Sequence, residues 1–201
     1  MKTVSKKQVK QLWKKVCKKN HIKVINSASL VNRILYAVPL AAARKAINAM
    51  GVGDAKRWLS QRYMTLVAGK KAWIVIPEAI GKHPIEQACV LAHELSHVRK
   101  FRKMGAVAAY GNYFLDSNDR AVVHEAPAEA AGADILYKLE RRVPSGEEIF
   151  DWKYWRAAYK CSAYAADRAE KRYDHLIEEH KQGKLATVAG LEVWGALERL
   201  P

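Results

Sequence analysis

The chain has 201 residues, a net charge of +15 at neutral pH and three well-separated cysteines, Cys17, Cys89 and Cys161. That length can bury a core without disulfides, and the cysteines form neither a disulfide framework nor a Cys-x-x-Cys metal knuckle. With no secretory leader pattern and no apolar run of spanning length, the expectation is a soluble, cytoplasmic protein rather than a secreted module or a membrane span.

The charge is uneven. Residues 1–53 carry ten Lys, two Arg and no acidic residue, which accounts for +12. Such a segment suits nucleic acid, an anionic surface or an acidic partner; a solvated face that keeps the protein soluble is the plainer alternative.

Taken in order, Ser5–Lys19 carries Val9, Leu12, Trp13, Val16 and Cys17 at helical spacing, with lysines over the rest of the surface. It reads as an amphipathic basic helix whose stripe docks on the domain, with a membrane-surface or partner role as the alternative. His21–Asn26 alternates like a short strand. Residues 1–26 thus form a basic helix and strand packed on or appended to a single domain over 27–201. Within that domain Ser27–Met50 has helical spacing broken at Pro39, and a short helix follows Asp54. Tyr63–Ala68 and Ala72–Pro77 flank Gly69-Lys70-Lys71 and read as a β-hairpin.

Pro84 then opens a helix to about Arg102, and Tyr110, Tyr113 and Phe114 follow in a loop or short helix. A capping cluster at Ser117–Asp119 starts a helix to about Arg142, complicated by Pro127. After Val143–Gly146 come a long helical stretch over about 147–182 and a last helix over about 187–199. Trp152, Tyr154, Trp155, Tyr159 and Tyr164 read as core or cleft walls. The expected fold class is α+β, mostly helical, with a small hairpin or sheet ahead of the 84–102 helix.

That helix holds His93-Glu94-Leu95-Ser96-His97. Imidazoles four residues apart on a helix share one face and one metal ion, and Glu94 points aside, towards the water that a catalytic metal activates. A catalytic zinc keeps three protein ligands, so a third must come from downstream, where His124, Glu125, Glu129 and Asp134 are candidates. Cys89, one turn before His93, reads as a packing residue.

The pattern resembles the gluzincin metallopeptidases of thermolysin and neprilysin type, in which H-E-x-x-H is followed on a second helix by Glu-x-x-(Ala/Ser)-(Asp). The matching residues are Glu125, Ala128 and Glu129, with Glu standing for the usual Asp. The resemblance spans residues 72–138, about a third of the chain. It implies a zincin-like fold, Zn2+ held by His93, His97 and Glu125, Glu94 as general base, and Glu129 as acceptor of a hydrogen bond from a ligand histidine. The spacing from Glu129 is similar to that of ImmA-like peptidases, which would make Glu129 the third ligand. A His124 ligand would resemble the SprT-like proteases that act on proteins attached to DNA. The run through Tyr110, Tyr113, Arg120-Ala121 and Glu125-Ala126 resembles small phage-type metallopeptidases, which implies a phage-encoded protein in a host cytoplasm.

The implied reaction is hydrolysis of a peptide bond in a protein or peptide substrate. Tyr110, Tyr113, His124 and Arg120 are candidates for stabilising the oxyanion. The rival function is a nucleic-acid-binding protein with a structural or absent metal. A protease brought to nucleic acid by its basic N-terminus combines the two.

Overall fold

The structure, a computed structural model, describes residues 3–26, 63–68, 70–76, 83–105, 118–151, 153, 155 and 161–201. The helices expected over 27–50 and after Asp54, the aromatic run around Tyr110, and Trp152, Tyr154 and Tyr159 lie outside the described residues.

Helix α1 (Lys6–Lys19) starts on a capping box in which Ser5 and Gln8 satisfy each other's backbone N–H. Its stripe of Val9, Leu12, Val16 and Cys17 is buried, which sends the lysines outward. The stripe docks on the protein's own core against α2 (Pro84–Met104) and α6 (Val188–Glu198). His21, with φ of +51°, turns the chain into β1 (Ile22–Asn26).

The expected hairpin forms from β2 (Met64–Ala68) and β3 (Lys71–Ile76), paired antiparallel with Leu66 opposite Trp73. β1 adds parallel to the other side of β3, with Val24 opposite Ile74, so the order is β1-β3-β2. As the central strand, β3 buries Ala72, Ile74 and Val75.

Helix α2 takes Pro84 in its first turn, where a missing N–H costs nothing, and stops at Gly105 with φ of +82°. Ala88, Leu91, Ala92, Leu95, Val98 and Phe101 are all buried, because α1, β2, α6 and the next helix surround it. Helix α3 (Asn118–Glu140) continues through Pro127. It lies between two apolar clusters. Ala131, Ile135 and Leu139 face α2 and the sheet side, while Val122, Ala126, Ala130 and Ala133 face Phe150, Trp155 and α5 (Ala163–Ile177). Small residues let α2 and α3 come close: a Cβ on Gly132 would stand 3.5 Å from the Cys89 carbonyl oxygen.

The long helix expected over 147–182 is instead divided. A one-turn helix α4 (Gly146–Ile149) ends at Phe150, and α5 starts only after Ser162. Two side chains explain the break. Trp155 stacks on Phe150 and donates its indole N–H to the Ile149 carbonyl. Ser162 caps Ala165 while Asp119 of α3 accepts both its N–H and its hydroxyl, so the cap is fixed by a tertiary contact. A 3₁₀ turn (Glu178–Gln182) follows α5, and Gly183 closes it in the left-handed region.

The described residues are mostly helical with one small three-stranded sheet, an α+β fold. Among them no helix is long and apolar enough to cross a membrane.

Candidate metal centre

His93 and His97 sit one turn apart on α2, and Glu125 reaches them from the facing side of α3. The two Nε2 atoms are 3.1 Å apart, and Glu125 Oε2 lies 3.1 Å from that of His97 and 3.3 Å from that of His93. Three donors bonded at zinc-like distances in a tetrahedral shell would be separated by roughly 3.3–3.4 Å. The triangle is therefore nearly the size that one small cation requires. Protons fit it less well, since two N–H groups aimed at Glu125 would also face each other. The His-His-Glu group can hold a metal ion.

Its electrostatics carry the same mark. Burial alone would raise the Glu125 pKa, but the charge of His97 and bonds from both imidazoles hold its carboxyl well below the usual range. Burial would likewise lower His93, yet the charge of Glu129 and bonds to Glu125 and Glu129 hold it well above an ordinary imidazole. Glu125 is thus held ionised by the imidazoles beside it, and the carboxylates around His93 favour a positive charge there. The centre opens on one side: the His93 side chain keeps 20% exposure against 6% for Glu125.

Glu94 is buried beside the triangle, with Oε1 4.0 Å from His93 Nε2. Its other oxygen, Oε2, accepts the hydroxyl of Thr65 on β2 at 2.6 Å. Glu129 lies behind the triangle, Oε1 3.5 Å from His93 Nδ1, and is more exposed. Glu125 therefore joins the two histidines directly, whereas Glu129 meets only the outer nitrogen of one.

The other sequence candidates lie elsewhere. Asp134 is fully buried and accepts His180 Nε2 at 2.6 Å, the N–H groups of Ala186 and Thr187, and the Thr187 hydroxyl. It anchors the start of α6, where a Cβ on Gly190 would overlap its carboxylate. Cys89 packs against the core, its thiol pushed up to about 12 chiefly by burial, so it is a packing group rather than a thiolate donor. Arg120 is exposed, while Tyr110 and Tyr113 lie outside the described residues.

His124, beside Glu125, stays outside the triangle. Burial, then the charges of Lys100 and Arg172, push its imidazole down to about 4. Lys100, one turn past His97, is pushed down to about 8 by burial and Arg172.

Sequence reasoning missed Thr65 and Lys100. Strand alternation puts Thr65 on the same face as Val67, but does not say that this face meets Glu94. Lys100 shares the ligand face of α2 by spacing alone, yet it is surrounded by other cations and reads as part of a basic helix end.

No protein-family model, curated protein or solved structure matches this chain.

Proposed function

We propose that the chain is a zinc-dependent peptidase of zincin-like fold. The observation that carries this reading is the 3.1–3.3 Å triangle of His93, His97 and Glu125 with the Glu94 carboxylate held at its edge. Two imidazoles and one carboxylate are a usual catalytic zinc set that leaves one position open. When bound, the metal supplies Lewis acidity for the attacked carbonyl and lowers the pKa of a water.

The chain's own residues do the rest. Glu94 takes a proton from the attacking water as its oxygen bonds to the carbonyl carbon. The proton then passes to the nitrogen of the breaking C–N bond, so an amide and water become an acid and an amine. Thr65 occupies Glu94 Oε2, leaving Oε1 turned towards the ligand set. Glu129 accepts from His93 Nδ1 and fixes the tautomer that offers Nε2 to the metal. A protein or peptide is the substrate class. Three free cysteines suit a reducing cytoplasm, and the phage-type resemblance suits a host one.

Glu94→Gln is the test. The variant should retain stoichiometric zinc by elemental analysis and lose peptide hydrolysis by at least about a hundredfold. Purified protein that takes up no zinc, together with a His93→Ala variant of unchanged stability, would sink the metal-site reading.

A second reading rests on α1. With its stripe buried, Lys6, Lys7, Lys10, Lys14, Lys15 and Lys18 are left exposed on one element, and among the described residues Lys19 alone of this helix is in an ion pair. This face suits a polyanion. It serves either to recruit the peptidase to nucleic acid or an anionic surface, or as the main binding function of a protein whose metal is structural.

A further inference from the structure

We propose that Lys100 and His124 form a carboxylate-binding subsite next to the metal centre, which takes an anionic group of the substrate. This deepens the peptidase reading and rests on it for the nature of the ligand. Lys100 lies three residues after His97 and seven after His93, so it continues their face of α2 by one turn. His124 comes from α3 immediately before Glu125. The two residues thus adjoin the ligand set from both helices and lie close enough for the charge of Lys100 to act on His124.

Lys100 Nζ and His124 Nδ1 are both buried without a hydrogen-bond partner among the described residues. Two other buried nitrogens there share that condition, Arg102 Nε and His180 Nδ1, but both have well-bonded neighbours in their own side chains. Arg102 donates through Nη2 to the carbonyls of Asn20 and Lys70, and Nε2 of His180 is bound to Asp134. Lys100 finds no acceptor among the described residues for any of its three N–H groups, a costly state for a buried ammonium.

The charges acting on it are Arg172 from α5, which repels, and Glu125, which attracts but is already engaged by His93 and His97. The charges of Lys100, Arg172 and His97 act on His124, and that of Glu125 opposes them. An anion is the partner this cluster lacks. One N–H of the ammonium and one of the imidazole can each be given to one of the two oxygens of a carboxylate. Peptide substrates carry carboxylates from two sources, the C-terminus and the side chains of Asp and Glu.

The experiment uses full-length protein carrying Glu94→Gln and loaded with Zn2+, so that peptides bind without turnover. N-acetyl-Ala-Phe as free acid, the same peptide as its amide, N-acetyl-Asp-Phe amide and inorganic phosphate are titrated calorimetrically. The free acid or the Asp peptide should bind at least about tenfold tighter than the neutral amide, and which of them does names the source. Lys100→Met and, separately, His124→Gln should abolish that preference while leaving the affinity for the neutral amide unchanged, the second variant serving if the first fails to fold.

Equal binding of acid and amide overturns the subsite. So does a preference that survives both substitutions, which puts the carboxylate on the metal, or phosphate bound as tightly as the peptide acid. Hydrolysis of neutral peptides without a carboxylate preference removes the subsite and keeps the peptidase. Carboxylate binding dependent on Lys100, in a chain that hydrolyses nothing, keeps the subsite and removes the peptidase.

Discussion

Glu94 is the residue whose two oxygens have different neighbours. Oε2 is tied to Thr65 at 2.6 Å, while Oε1 faces the ligand histidines. A buried carboxylate without that tie would rotate to find another donor and lose its aim. Thr65→Val removes the hydroxyl at nearly constant shape. We expect it to lower kcat about tenfold or more while zinc content stays stoichiometric, and Thr65→Ser to restore most of the rate. Steady-state kinetics beside metal analysis decides this; an unchanged kcat for Thr65→Val would make the contact merely structural. At this scale His93, His97 and Glu94 are legible in the sequence because helix periodicity alone puts them together. Thr65 is not, since its role depends on a strand 29 residues away folding over α2.

Among the elements, α1 shows how burial sorts an amphipathic helix. Val9, Leu12, Val16 and Cys17 are consumed by the core, so an apolar face is not available to enter a membrane. What remains outward is charge. Binding of single-stranded DNA or heparin should therefore weaken steeply with salt. Replacing Lys7, Lys10, Lys14 and Lys18 with Gln should flatten that slope by roughly one unit for each lysine that had neutralised a phosphate or sulfate. Glu94→Gln should leave the binding intact. Salt-independent failure to bind either polyanion would remove both the recruitment and the nucleic-acid readings. The divided helix over 147–182 belongs to this scale too. Periodicity runs through Phe150 and Ser162, but the local Phe150–Trp155 stack ends one helix, and Asp119, 43 residues away in sequence, anchors the cap on Ser162 that starts the next.

For the molecule as a whole, Glu192 is a cross-tie. From α6 it accepts Asn20 Nδ2 and Lys19 Nζ, each at 2.9 Å, and also pairs with Arg99, which joins the ends of α1, α2 and the last helix. Burial opposes its ionisation, but bonds from Asn20, Lys19 and Arg99 outweigh it and bring the carboxyl down from 4.5 to about 2. Because the folded pKa is depressed, the tie is fully present above the unfolded value and is lost as pH falls through the folded one. Glu192→Gln should cost roughly 1–3 kcal/mol at pH 7, and the gap to wild type should close as pH drops from about 4.5 to about 2. Denaturant melts across that window provide the check. A gap independent of pH would mean that shape, not charge, holds the three elements.

The sequence by itself determined the local order: a basic amphipathic helix, a hairpin, a helix with two imidazoles on one face, and a second helix rich in carboxylates. These depend on spacing, capping and side-chain chemistry within a few residues of each other. The tertiary structure decided which carboxylate meets the histidines. Glu125 and Glu129 share a face of α3, and only the packing of α3 along α2 brings one of them to 3.1 Å of His97 and leaves the other at the outer nitrogen of His93. It also joined β1 to the sheet in parallel and left Lys100 buried without an acceptor among the described residues, because pairing and burial are properties of neighbours far apart in the chain.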